Sequence, residues 1–147
     1  MDSVPTVLCI DDFEPGLHTR KIFLEHFGFK VLIASSGAEG LRILKSHHID
    51  VIVLDYRMPE MDGEELALRI RQLSVKMPLL LLSGFAREIP ENLKLMVNVY
   101  LPKGDPPGRL VSALCELTAT TTEQRKAAQK KESSPVEAPA QSKRKTV

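Results

Sequence analysis

The sequence predicts an α/β protein: a doubly wound, five-stranded parallel sheet flanked by helices. Three observations carry that prediction. Five short apolar runs recur along the first hundred residues, each bounded by turn residues and each of strand length. Segments with helical apolar spacing fall between them on short connections, the pattern of βα units rather than hairpins. The third run, Val51 to Leu54, is unbroken apolar, as a strand covered on both faces must be, and it stops on a carboxylate, Asp55.

Taken in order, Thr6-Val7-Leu8-Cys9-Ile10 forms the first strand and ends on Asp11-Asp12. Glu14-Pro15-Gly16 opens a helix to about Phe27, with Leu17, Ile22, Phe23 and Phe27 among its apolar positions. Proline is tolerated in a first turn, where its missing N–H has no partner to lose. Gly28 stands where a helix C-cap glycine does. Lys30 to Ala34 is the second strand. Ser35-Ser36-Gly37 supplies capping chemistry for a helix over Ala38 to Lys45, with Leu41 and Leu44 on one side.

His47-His48-Ile49 leads into the third strand, and the two histidines read as a solvated helix end rather than a metal site. The turn Met58-Pro59 and the pair Asp62-Gly63 precede a helix to about Leu73, with Leu66, Ile70 and Leu73 at near-helical spacing. Its acids, Glu64 and Glu65, come first and its bases, Arg69 and Arg71, later, as the helix dipole favours. Pro78 to Leu82 is the fourth strand and ends on Ser83-Gly84. A short helical segment spans residues 87–98, with Pro90 near its start. Asn98 to Leu101 is the fifth strand, ending on Pro102-Lys103-Gly104. The last helix is expected over about Arg109 to Leu117, with Leu110, Val111, Leu114 and Leu117 on its apolar face.

At 147 residues and 43% apolar, the chain supports one domain with an aliphatic core. From Thr118 onward there are seven Lys/Arg against three Glu, which leaves thirteen basic and sixteen acidic residues in the body. A mildly acidic body, 1–118, is therefore expected to carry a polar basic tail, 119–147, either disordered or frayed helix then coil. The tail reads as a solubilising extension or linker rather than a nucleic-acid contact. Cys9 and Cys115 fit no metal or redox spacing and are expected as buried free thiols, which suits a reducing cytoplasm. No run has the character of a signal peptide or the length of a bilayer span.

Parallel strands all point one way, so Asp11, Asp12, Asp55, Ser83 and Lys103 gather at one edge of the sheet, where open α/β sheets place their ligands. Crowded carboxylates call for a cation, and a hard, oxygen-rich set selects Mg²⁺, with Mn²⁺ the alternative. Lys103 adds a point positive charge and Ser83 a hydroxyl, both suited to phosphoryl oxygens. No His, Cys or Ser–base pair is placed to act instead, so Asp55 is the expected nucleophile.

Asp11-Asp12, Asp55 with Met58-Pro59 and Asp62-Gly63, Ser83-Gly84, and Tyr100 to Lys103 resemble the receiver domain of bacterial two-component response regulators, the CheY-like fold, over about residues 5–118. The resemblance implies a phosphorylation switch. A histidine kinase or phosphotransfer protein would phosphorylate Asp55. Mg²⁺ would be held by Asp11 and chiefly Asp12, by Asp55 and by the backbone carbonyl of Arg57. Ser83 would move toward the phosphoryl group, Tyr100 would turn inward, and Lys103 would pair with the phosphoryl. Arg57 and Phe85 occupy positions that tune phosphoryl lifetime in the family. Output would pass to a downstream protein through the fourth helix, fifth strand and fifth helix, with a phosphorylation-dependent homodimer as the alternative. The chain departs from the family at Gly104, where a proline after a cis bond is usual. The expected unit is a stand-alone cytoplasmic receiver, the alternative being the receiver of a larger regulator. A haloacid-dehalogenase-type phosphohydrolase would place a second acid two residues after its nucleophile, where this chain has Arg57.

Overall fold

The computed structural model describes residues 4–58, 60–84 and 89–132, with side chains as far as 119. Strands and helices alternate throughout: β1 (Thr6–Ile10), α1 (Glu14–His26), β2 (Lys30–Ala34), α2 (Gly37–Ser46), β3 (Val51–Asp55), α3 (Gly63–Leu73), β4 (Leu79–Ser83), α4 (Glu91–Met96), β5 (Val99–Pro102) and α5 (Pro107–Glu132). The strands pair in the order β2-β1-β3-β4-β5, all parallel. This is the doubly wound sheet that the sequence predicts.

Side chains alternate across the pleat, so each strand feeds two cores. Val7, Cys9, Val51, Val53, Leu80, Leu82 and Leu101 face Leu17 and Leu24 of α1 and Leu110 and Leu114 of α5. Leu8, Ile10, Ile52, Leu54, Leu79 and Leu81 face the other way, toward Leu66, Ala67 and Ile70 of α3 and Leu93 of α4. Because β3 is central and covered on both sides, every one of its residues is buried, including the terminal carboxylate.

Helix boundaries follow local chemistry. The Ser36 hydroxyl caps α2 by accepting the Glu39 N–H at 3.1 Å, and the Asp62 carboxylate caps α3 by accepting the Glu65 N–H at 3.0 Å. After α1 the chain reverses through Gly28 at φ 95°, a conformation costly for any residue with a Cβ. Arg71, placed late in α3 as a dipole partner, does more. Its guanidinium donates to the carbonyls of Met96 (2.7 and 3.0 Å) and Met77 (2.6 Å), tying α3 to the end of α4 and to the approach to β4.

Some expectations shift. In α1 the buried positions are Leu17 and Leu24, while Ile22 and Phe27 are 69% and 52% exposed. The helix turns its 17–24 stripe inward, and the run of apolar residues around it overstates its buried face. Leu73 is likewise exposed at the end of α3. Cys9 is fully buried, and burial pushes its thiol up to about 12. Cys115, expected to be buried, is exposed, because Leu114 takes the inward position on α5. Within the described part of the expected stretch, 89–98, the fourth helix covers Glu91–Met96, and residues 87 and 88 lie outside the described residues. The fifth runs on to Glu132 rather than ending near Leu117. Residues 123–132 are Glu, Gln, Arg, Lys and Ala, which favour helix intrinsically yet show no apolar stripe. Residues 133–147 lie outside the described residues.

Candidate functional site

In the strand order 2-1-3-4-5 the chain reverses its winding direction between β1 and β3, and a crevice opens there at the carboxyl ends. Ile10 pairs with Leu54, so the next residues, Asp11 and Asp55, leave the sheet side by side. Both are buried, at 2% and 5% exposure, whereas Asp12 is exposed at the rim. One oxygen from each of the three carboxylates lies within 4.8 Å of the others.

Two cations answer them. Lys103 Nζ sits 3.0 Å from Asp55 Oδ1 and 3.7 Å from Asp11 Oδ2. Arg20, on α1, brings Nη1 and Nη2 to 3.4 Å from the same Asp11 oxygen. Asp11 Oδ1 accepts the Phe13 N–H at 3.0 Å. Burial pushes the Asp55 carboxyl above its ordinary 3.8; the Lys103 hydrogen bond pulls it back, and the Asp11 and Asp12 charges push it up again. The site is short of positive charge.

The turn after β3 is tight. Tyr56 N–H donates to Leu82 C=O at 3.1 Å, and Gly63 N–H donates to Tyr56 C=O at 2.7 Å. A Cβ on Gly63 would lie 2.8 Å from the Tyr56 Cα, so only glycine lets α3 start this close to the end of β3. Asp12, Tyr56, Arg57, Met58 and Asp62 thereby frame a hollow of about 430 Å³ beside Asp55. Hard oxygen donors, an excess of carboxylate and a hollow at the rim fit a divalent cation such as Mg²⁺.

Ser83, buried at the end of β4, accepts the Lys103 N–H on its carbonyl at 2.8 Å, which fixes the root of the lysine. The described peptide bonds are all trans, Lys103–Gly104 included, and Lys103 reaches Asp55 with glycine after it. Tyr100 is not brought to the cluster. It is 42% exposed, with Lys94 Nζ 5.6 Å from its ring centroid, a cation–π distance. Arg57 is exposed on the rim of the hollow, and Phe85 lies outside the described residues.

A family model described as "Response regulator receiver domain" matches residues 7–115. The chain belongs to that family. The autoinducer 1 sensor kinase/phosphatase LuxN of Vibrio campbellii is 36% identical over 94 residues, which are 63% of this chain and 11% of LuxN. The alkaline phosphatase synthesis transcriptional regulatory protein PhoP of Bacillus subtilis is 32% identical over 103 residues, 69% of this chain and 43% of PhoP. A receiver domain protein from Clostridium thermocellum superposes with a TM-score of 0.77 at 29% identity, covering 82% of this chain and 99% of that one. The receiver thus spans less than half the length of either curated relative.

Receivers are signalling modules of two-component systems rather than classical enzymes, they bind Mg²⁺ at an acidic pocket, and they work with histidine kinases or phosphotransfer proteins. No helix among the described residues of this receiver is long and apolar enough to cross a membrane. Sequence reasoning missed Arg20. Its signal was present: Arg20 follows Leu17 by three and precedes Leu24 by four, so a cation occupies a place in the buried stripe.

Proposed function

We propose that Asp55 is the phosphoacceptor of this receiver, phosphorylated by a histidine kinase or phosphotransfer protein. The observation that carries the reading is the Asp55–Lys103 contact of 3.0 Å inside a cluster where carboxylates outnumber cations among the described residues. An Asp55 oxygen attacks phosphorus and forms an acyl-phosphate O–P bond. The P–N bond to the donor imidazole breaks, and its electron pair leaves with the ring. Lys103 lies against Asp55 and neutralises charge on the arriving phosphoryl oxygens, so the chain's contribution is positioning and electrostatics. Asp12, Asp55 and the Arg57 carbonyl, with Asp11 behind them, would hold Mg²⁺, or Mn²⁺ in its place. The cation supplies further neutralisation of phosphoryl charge.

After transfer, Ser83 and Lys103 bind the phosphoryl group, and Tyr100 leaves Lys94 to turn inward. That shift of population alters the α4–β5–α5 face. A downstream protein reads this face, or a second copy of the receiver does. Hydrolysis by water resets the switch, with Arg57 and Phe85 setting the lifetime. We assign the receiver body to residues 1–118, the polar basic extension to 119–147, and the site of action to the cytoplasm.

Incubation with acetyl phosphate and Mg²⁺, read by intact mass, tests the assignment. The expected result is a single phosphoryl adduct that Asp55→Asn abolishes. No adduct, or one that survives the substitution, overturns it.

A further inference from the structure

A charged side chain is rarely placed among core positions unless it is paired, because taking a charge out of water is costly. Arg20 holds such a position on α1, with its side chain only 16% exposed. Its partner is Asp11. Both terminal nitrogens of Arg20 lie 3.4 Å from Asp11 Oδ2, the oxygen that Lys103 also approaches at 3.7 Å. Asp11 Oδ1 is taken by the Phe13 N–H. Arg20 and Lys103 both line a cavity of about 540 Å³ between α1 and the β5–α5 connection, walled by Phe23, Leu82, Leu101 and Leu110. Apolar walls reduce screening, so a charge placed there acts strongly on its neighbours.

Two consequences follow from this placement. The two buried carboxylates, Asp11 and Asp55, are met by Arg20 and Lys103, while Asp12 stands at the rim in the hollow it shares with Arg57 and Asp62. Removing Arg20 takes one positive charge from the buried side of the cluster, a loss that a bound divalent cation would offset. Arg20 also answers Asp11 from the α1 side, which leaves Lys103 to its shorter contact with Asp55.

We propose that Arg20 is a positioning residue of the phosphoryl site: a fixed counter-charge behind Asp11 that weakens divalent-cation binding by the resting receiver and keeps Lys103 on Asp55 for the incoming phosphoryl group. The inference rests on Asp55 being the phosphoacceptor. A residue that merely held the fold together would, on removal, weaken metal binding and phosphorylation alike. Arg20 as a counter-charge separates the two.

The test measures the Mg²⁺ dissociation constant of the unphosphorylated full chain by calorimetry, and the initial rate of phosphorylation by acetyl phosphate at saturating Mg²⁺. Arg20→Met is expected to bind Mg²⁺ about three- to tenfold more tightly, the size of one partly screened charge at this range. It is also expected to take up phosphate more slowly, because the anionic donor meets a more negative site and Lys103 is drawn toward Asp11. Arg20→Gln should behave as Arg20→Met does and serves if the methionine variant fails to fold. Arg20→Lys should return both quantities toward wild type. Tighter Mg²⁺ with slower phosphorylation, reversed by lysine, supports the proposal; any other combination overturns it. Wild-type protein that takes no adduct refutes the phosphoacceptor reading and the inference with it. Wild-type protein that takes one, beside a variant with unchanged or weaker Mg²⁺ binding, refutes the role of Arg20 alone.

Discussion

β3 has a buried carboxylate at each end. Asp50 stands just before it and Asp55 closes it, and both are 5% exposed. Each meets a basic side chain at 3.0 Å, His48 for Asp50 and Lys103 for Asp55. What differs is the rest of the surroundings. Asp50 Oδ2 accepts the Thr6 N–H at 2.7 Å, so a backbone donor that needs a partner and a carboxylate that needs a donor satisfy each other. Asp55 is instead set beside Asp11 and Asp12, and its neighbours add charge of its own sign. Burial alone therefore does not set the proposed phosphoacceptor apart from Asp50. The imbalance of charge around it does.

The largest expected effect comes from removing the carboxylate at the amino-terminal end. Asp50→Ala leaves the buried Thr6 N–H without its acceptor and should destabilise the fold by about 1–3 kcal/mol in urea unfolding. The same variant should still take a phosphoryl adduct wherever it is folded. A variant of unchanged stability, or one folded but unable to accept phosphate, would show that the two ends of β3 are not separable in this way.

Much of this contrast is legible in the amino-acid sequence. The five strands rest on apolar runs whose length and position decide pairing in a buried parallel sheet, and Asp11, Asp12, Asp55 and Lys103 converge because parallel strands share an edge. Asp50 and Arg20 are harder to see. A carboxylate before a strand looks like any loop acid until its register against Thr6 is known, and that register is a tertiary fact. Arg20 looks like one of several charges on a surface helix, because Ile22 and Phe27 pull the apparent apolar face away from the Leu17–Leu24 stripe. The outward Tyr100 is no more legible, since its nearness to Lys94 of α4 is a tertiary fact. The length of α5 past residue 118 rests on backbone propensity, to which apolar periodicity is blind.

A second expected effect concerns the charge around Asp55. Burial raises the folded Asp55 carboxyl above 3.8, so folding favours its protonated form. For such an acid, the stability linked to the proton is fully present below the unfolded value and is lost as pH rises through the folded one. Asp55→Asn removes the charge that carries this cost. Measured in chelator, the variant should be more stable than wild type at neutral pH, and the gap should close as pH falls toward 3.8. A variant less stable than wild type at neutral pH would mean that the Lys103 contact outweighs burial and the neighbouring carboxylates.

The smallest effect should come from the partner that Asp50 can spare. His48 is 68% exposed, so water competes for its imidazole, and its contact with the buried Asp50 carboxylate is worth about 1 kcal/mol. The Asp50 oxygen that matters to the fold is Oδ2, bound to the Thr6 N–H, and it does not depend on the imidazole on Oδ1. His48→Ala should therefore shift the urea midpoint only slightly and leave the adduct yield unchanged. A loss comparable to that of Asp50→Ala would mean that the histidine holds Asp50 in place, and the amino-terminal end of β3 would then depend on its side-chain partner.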